Sequence, residues 1–321
     1  MKQNWAKWLG TLFFIAISLL GCSNQKDTNP FYSSTFLPPP ADSLSLNIPV
    51  KEQRPVAYFT TLKIFGDMNV NLKANQRQPS LLLTGDSRDL AHVKSAVTAD
   101  DTLSIRVDRG YPKYGQIHAD ISTEYLNSLI LKNFSGRLKS APLNTPYFNA
   151  SIDGSGSVSL SGKIGLHRLN LSGSSVTTIE GINSRLLKIT MQDNPTAVIT
   201  GFARLKSLKA EGSGHLKLYW VDSPELHVVQ TGKTQVELAG VSDKLYVTLS
   251  RQALFNGRYL RAKEGYIKTT DHSIAEVQLL KTQAALARGN STISYYNYPK
   301  NSPLKSNFMG NNGAVLDMND H

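Results

Sequence analysis

Gly154-Ser155-Gly156, Gly173-Ser174-Ser175, Asp193-Asn194-Pro195, Gly212-Ser213-Gly214 and Thr231-Gly232-Lys233 follow one another at intervals of 19 or 20 residues in a chain of 321. Gly162, Gly181, Gly201 and Gly240 keep the same beat, each closing a short β-rich run, and Val221 fills the slot where glycine is absent. Between the two markers apolar and polar residues alternate, as in Ser157-Val158-Ser159-Leu160, His215-Leu216-Lys217-Leu218 and Gln235-Val236-Glu237-Leu238. A repeat of this length with β alternation and no helical period predicts a solenoid, in which each coil buries its apolar row only against its neighbours. Equivalent positions then stack about 4.8 Å apart, so the inward columns must be apolar. Val158 and Leu160, Val198 and Ile199, Leu216 and Leu218, and Val236 and Leu238 satisfy this. Past Gly240 the turn slot passes to Arg251-Gln252-Ala253, Thr270-Asp271-His272 and Gly289-Asn290-Ser291, giving roughly eight coils by the repeat.

Working outward, the N-terminus predicts export. Lys2 and Lys7 precede an apolar run from Trp8 to Leu20 that is short for a membrane span, which predicts a signal peptide over 1–21. Leu19-Leu20-Gly21-Cys22 then resembles a bacterial lipobox, and Cys22 is the one cysteine in the chain. A disulfide framework is excluded, and the expected fate of the thiol is a thioether to lipid that anchors the protein to a membrane. Ser23 is not the aspartate associated with inner-membrane retention, so a host with two membranes is expected to carry the protein in the outer one. Residues 22–54, with Pro38-Pro39-Pro40, read as a disordered tether, and 300–321 as a disordered tail.

The block from Pro55 to Val107 carries its own strands. Phe59 to Ile64 and Met68 to Lys73 flank Gly66-Asp67 as a hairpin or as two successive solenoid strands. Ser80 to Asp86 and Thr102 to Val107 follow, with a short helical turn expected within Asp89 to Ala96. Short strands at one end of a ladder predict a cap for its open edge. Leu129 to Gly136 fits a first coil.

These strands carry a resemblance. Phe59-x-x-Leu62-x-Ile64-x-Gly66, Val70-x-Leu72, Leu81-x-Leu83-x-Gly85-Asp86 and Leu103-x-Ile105-x-Val107, followed by Gly-Ser-Gly coils, resemble the GIN domain, a family also labelled auto-transporter adhesin head that includes many domains of unknown function. The closing Tyr295-Tyr296-Asn297-Tyr298-Pro299 is similar to that family's last coil, with Asn297 where glycine is usual. The resemblance spans about 56–299. It implies an all-β, right-handed parallel β-helix with a short N-terminal cap, over 55–299, in an envelope protein.

Chemistry is sparser than architecture. The formal charge is +11, or +9 once Lys2 and Lys7 leave with the signal, which suits anionic polymers. The basic residues are scattered and no nucleic-acid signature is present, so no nucleic-acid partner is expected. Seven histidines show no His-x-x-x-His pair, and neither a metal nor another cofactor is expected. Asp153 and Asp193, two coils apart, are the best carboxylate pair for a polysaccharide lyase or glycoside hydrolase, the alternative reading, yet both sit in turns that favour aspartate. The preferred reading is a non-catalytic, adhesin-like or scaffolding surface, contacting an anionic glycan or another envelope protein. Its candidate residues are Lys217, Tyr219, Trp220, Tyr246, Arg258 and Tyr259, with Tyr266, Tyr295, Tyr296 and Tyr298 also expected to point outward.

Overall fold

The computed structural model describes residues 49–296, 308–311 and 315–319. The expected signal peptide, Cys22, most of the tether, and Tyr298 lie outside them. In chain order the elements are β1 (Val50–Arg54), β2 (Thr61–Phe65), β3 (Asn69–Lys73), β4 (Ser80–Gly85), α1 (Ser87–Leu90), β5 (Val93–Val97), β6 (Thr102–Val107), β7 (His118–Ser122), β8 (Ser128–Phe134) and β9 (Arg137–Ser140). Then come β10 (Leu143–Gly154), β11 (Ser157–Gly173), β12 (Val176–Met191), β13 (Thr196–Gly212), β14 (His215–Gly232), β15 (Gln235–Arg251), β16 (Leu254–Thr269), β17 (Ile274–Arg288), β18 (Thr292–Tyr296), β19 (Phe308–Asn311) and β20 (Val315–Asn319).

From β10 to β17 every strand pairs in parallel with the next, one coil on another, making a β-solenoid of about nine turns. Alternation decides which side chains go inside. One inward file can be followed by register through Ile64, Leu131, Ile152, Leu171, Met191 and Ala210 to Gln230, Leu249 and Thr269, all buried. Each buried Leu or Ile in such a file contributes about 1.5–3 kcal/mol. Gln230 is held there because its amide Nε2 donates to Thr234 Oγ1 (3.2 Å) and Leu254 O (3.1 Å) at the adjoining turns.

Two files of left-handed backbone run up the stack. In the first, Gly154, Gly173, Asp193, Gly212, Gly232 and Arg251 all have positive φ. The coils approach so closely that a Cβ on Gly212 would lie 2.1 Å from Asp193 O. The second file holds Gly162, Gly181, Gly201 and Gly240 as the repeat predicts, but the left-handed residue in the glycine-free slot is Trp220 (φ 67°), not Val221. The cause is a shorter corner. Ile199 and Ala203 are matched by Leu218 and Val221, one residue fewer, so the sharp turn falls on Trp220.

The N-terminal block caps the ladder and also contributes to it. β2 pairs in parallel with both β6 and β8, and β3 with both β7 and β9, so these are successive solenoid strands and not a hairpin. The lowest rung, β6 and β7, therefore comes after the rung above it in the chain. Its outer edge is covered by antiparallel partners, β5 on β6 and β4 on β7, with β1 on β4. The helix is one turn, and 93–96, expected to share it, belongs to strand β5.

Two boundaries differ from expectation. β1 lies inside the segment read as tether, because pairing with β4 satisfies its backbone and Arg54 reaches Val93 O (2.6 Å) and Leu90 O (3.2 Å). Within the expected tail, β19 pairs with β17 and β20 with β18. The free edge of the last full coil offers them unpaired backbone groups, a pull that composition does not reveal.

Candidate binding surfaces

The six residues chosen from sequence fall on three parts of the solenoid. Lys217, Tyr219 and Arg258 lie on the outward face of the first half of their coils, in a ladder of compensated charge. Lys217 Nζ is 3.3 Å from Glu237, and the Tyr219 hydroxyl donates to the same carboxylate at 3.2 Å. Burial, reinforced by Glu237, raises the Tyr219 pKa above that of an ordinary phenol. Two rungs above Lys217, Arg258 Nε lies 3.1 Å from Glu276, and its guanidinium sits 5.1 Å over the Tyr296 ring. The cations here are already answered by carboxylates.

Tyr246 belongs to another face. Its ring stacks between His227 (4.5 Å, 4°) and Tyr266 (4.7 Å, 8°), rungs below and above. His227 Nε2 also meets Glu225 Oε1 at 2.5 Å, and that bond holds the Glu225 carboxyl below its usual pKa. Tyr295 does not face outward: it pairs in register with the buried Val277 and is itself fully buried. Adjacent residues of a strand point to opposite sides, so Tyr296 takes the outward place.

Trp220 and Tyr259 stand at the glycine corner, 70% and 69% exposed. Ala203, Val221, Gly240 and Leu260 pair in sequence up the stack, so the residues just before them, Phe202, Trp220, Ala239 and Tyr259, form one column. Phe202 is exposed as well. Ala239 leaves a gap in that column between the indole and the phenol, which are two rungs or about 9.6 Å apart along the stack.

The carboxylate pair considered for glycan cleavage is used in turns. Asp153 accepts from Asn133 N (3.2 Å) and Ser172 Oγ (2.8 Å), the latter chiefly holding its pKa below the usual carboxylate value. Asp193 accepts from Gly173 N (3.1 Å). Among the described residues no three His, Cys, Asp or Glu side chains converge as a metal cage.

Sequence reasoning missed a basic groove beyond the glycine corner of β10 to β14. One recess of about 500 Å³ is lined by Tyr147, Lys163, Gly165, His167, Asn183 and Arg185, and another of about 320 Å³ by Arg204, Lys206 and Glu225. Arg185 and Leu186 line both. Ser184 and Ala203 pair in register, so the exposed Arg185 and Arg204 that follow them rise from neighbouring rungs. Only the register, which composition does not give, brings these cations together. A third recess, of about 690 Å³, holds Asn69 and Asn71, whose amides already donate to Gln116 and Asp120.

Comparison with known proteins agrees with the strand pattern. The model of the family described as "Putative auto-transporter adhesin, head GIN domain" matches twice, over residues 58–200 and 166–299. Among solved structures, one described as a "Putative lipid binding protein" from Parabacteroides distasonis is similar at 14% identity, covering 86% of this chain and 98% of that one, with a TM-score of 0.47. A "putative adhesin" from Parabacteroides merdae is similar at 13% identity, covering 85% and 96%, with a TM-score of 0.46. No curated protein matches. With the family model spanning most of the folded coils, the chain belongs to the GIN-domain, adhesin-head family.

Proposed function

We propose that the protein is a non-catalytic, adhesin-like surface of the cell envelope, anchored by lipid on Cys22 and working by contact at the aromatic corner. The observation that carries this reading is the column of Phe202, Trp220 and Tyr259, with Trp220 and Tyr259 about seven-tenths exposed on a rigid parallel ladder. Left-handed backbone costs a non-glycine residue about 1–2 kcal/mol, so placing tryptophan there spends stability on presenting an indole to solvent. Aromatic side chains on an ordered scaffold give contact area at low entropic cost, toward a sugar ring or an apolar patch of another envelope protein. Family membership supports a surface role.

The test uses cells bearing the full chain. Trp220→Gly with Tyr259→Ala removes both rings, and glycine keeps the backbone conformation. The reading expects the variant to be made and folded at normal level and to lose retention on a glycan- or envelope-protein-coated surface; undiminished retention overturns it. Cys22→Ser is expected to move the protein from the membrane fraction to the soluble one, and unchanged partition would reject lipid anchoring.

A further inference from the structure

We infer that the groove across β10 to β14 is a binding site for an acidic glycan, its carboxylate or phosphate groups held by Arg185 and Arg204. This deepens the surface-contact reading and rests on it, but uses a different part of the solenoid. Three observations carry it.

The first is charge. Lys163, Arg185, Arg204 and Lys206 line the two recesses, and none has an acidic partner within ion-pair distance among the described residues. The carboxylate at the far end, Glu225, is bonded by His227 and also feels the charge of Lys206, so the unanswered excess rests on Lys163, Arg185 and Arg204. Between Ser157 and Gly212 the chain has seven Lys or Arg against three Asp or Glu, an excess of four positive charges (7 − 3), and Glu211 is paired with Lys209. The contrast with the neighbouring face is direct: there Lys217 and Arg258 each have a glutamate.

The second is register. Arg185 and Arg204 rise from adjacent rungs just past the Ser184–Ala203 pair, where the register slips, and both line the smaller recess, a like-charge juxtaposition that disfavours the unliganded fold. An anion between the two guanidiniums removes that cost, and their planar forks match carboxylate or phosphate oxygens with paired hydrogen bonds.

The third is shape. Gly165 and Pro146 line the larger recess where their backbones approach too closely for any side chain at 165, a Cβ there lying 2.0 Å from Pro146 O. The Tyr147 and His167 rings, 5.0 Å apart and tilted by 31°, form one wall, and the Asn144 and Asn183 amides line it too. An aromatic wall, amides for hydroxyl groups and cations a rung apart suit a sugar chain bearing acidic groups better than a bare anion or an acidic peptide. At about 500 Å³ the recess lies within the ordinary range for small-ligand sites.

Binding of the full chain to polygalacturonate, to its methyl-esterified form, to a phosphodiester-linked glycan and to polyglutamate of matched length is measured at several salt concentrations. The expected result is salt-sensitive binding to one or both acidic glycans, with the methyl ester at least about tenfold weaker. Preference between carboxylate and phosphate identifies the source of the anion. Arg185→Gln with Arg204→Gln is expected to weaken binding by about ten- to hundredfold. Tyr147→Ala is expected to weaken glycan binding while leaving its salt dependence intact. A matched loss of charge elsewhere, Lys132→Gln with Lys268→Gln, is expected to leave affinity within about twofold. The inference is overturned if the methyl ester or polyglutamate binds as well, if the control pair weakens binding as much as the arginine pair, or if no acidic glycan binds. Trp220→Gly with Tyr259→Ala leaves this groove intact, so failure at the aromatic corner and failure here are separable.

Discussion

Replacing Gly212 with alanine puts the stacking of the coils to a direct test. Gly212 has φ 101°, and its missing Cβ would meet Asp193 O at 2.1 Å, against a backbone atom that has no rotamer by which to yield. Left-handed backbone costs alanine about 1–2 kcal/mol. Opening the rungs also strains the hydrogen bonds that bracket the turn, Ser213 N to Asp193 O (2.7 Å) and Lys233 N to Gly212 O (2.6 Å), each worth about 1 kcal/mol. The expected loss is therefore about 3–4 kcal/mol. Arg251 stands in the same file at φ 65° and supplies the matched control. Arg251→Gly relieves left-handed strain but adds freedom to the unfolded chain, for a net gain of no more than about 1 kcal/mol. Both are read from urea unfolding followed by far-UV circular dichroism, comparing midpoints at constant slope. Because a solenoid can lose rungs separately, amide exchange around 193 and 232 locates the damage. A loss below about 1 kcal/mol for Gly212→Ala, or equal losses for the two variants, would refute the close-stacked file.

Three further outcomes follow from other parts of the fold. Asp89 is buried and accepts from the backbone N–H of Lys113 (2.7 Å), Tyr114 (2.8 Å) and Gly115 (3.0 Å), so Asp89→Asn should cost about 1.5–3 kcal/mol and expose 109–116 to protease; unchanged cleavage there would contradict that anchoring. Trp220→Gly should leave the midpoint of unfolding level or raise it, since glycine tolerates φ 67°, and a clear drop would mean the indole is structural. The resolved carboxylate shifts, at Asp86, Asp100, Asp108, Asp153 and Glu225, are all downward, Asp86 to about 2 through its bond from Arg88. Groups depressed in the folded state give stability that is present above their unfolded pKa near 4 and lost as pH falls toward about 2. Melting temperature should therefore drop across that window, and a flat profile there would argue against these bonds.

The repeat was legible because coil stacking imposes the same demand at every rung. Gly162, Gly181 and Gly201 recur where backbones nearly touch, and Leu160 or Leu218 where the interior must be dry. What escaped depends on partners distant in sequence. Val50–Arg54 is polar enough to pass for tether, and becomes a strand only because β4 offers an edge. Trp220 replaced Val221 as the left-handed residue because one corner is a residue shorter than its neighbour, a count that spacing between glycines blurs. Lys217 and Arg258 looked like free cations until register set Glu237 and Glu276 beside them. Arg185 and Arg204 are 19 residues apart and gave no signal as a pair.

The interleaving at the N-terminal end changes what a truncation means. Since β2 and β3 lie between β6 with β7 below and β8 with β9 above, trimming the chain past Phe59 does not fray a terminus. It is an excision from mid-stack, parting the lid from the column it closes, whereas a chain stopped after Ser140 keeps the lid whole and merely ends early.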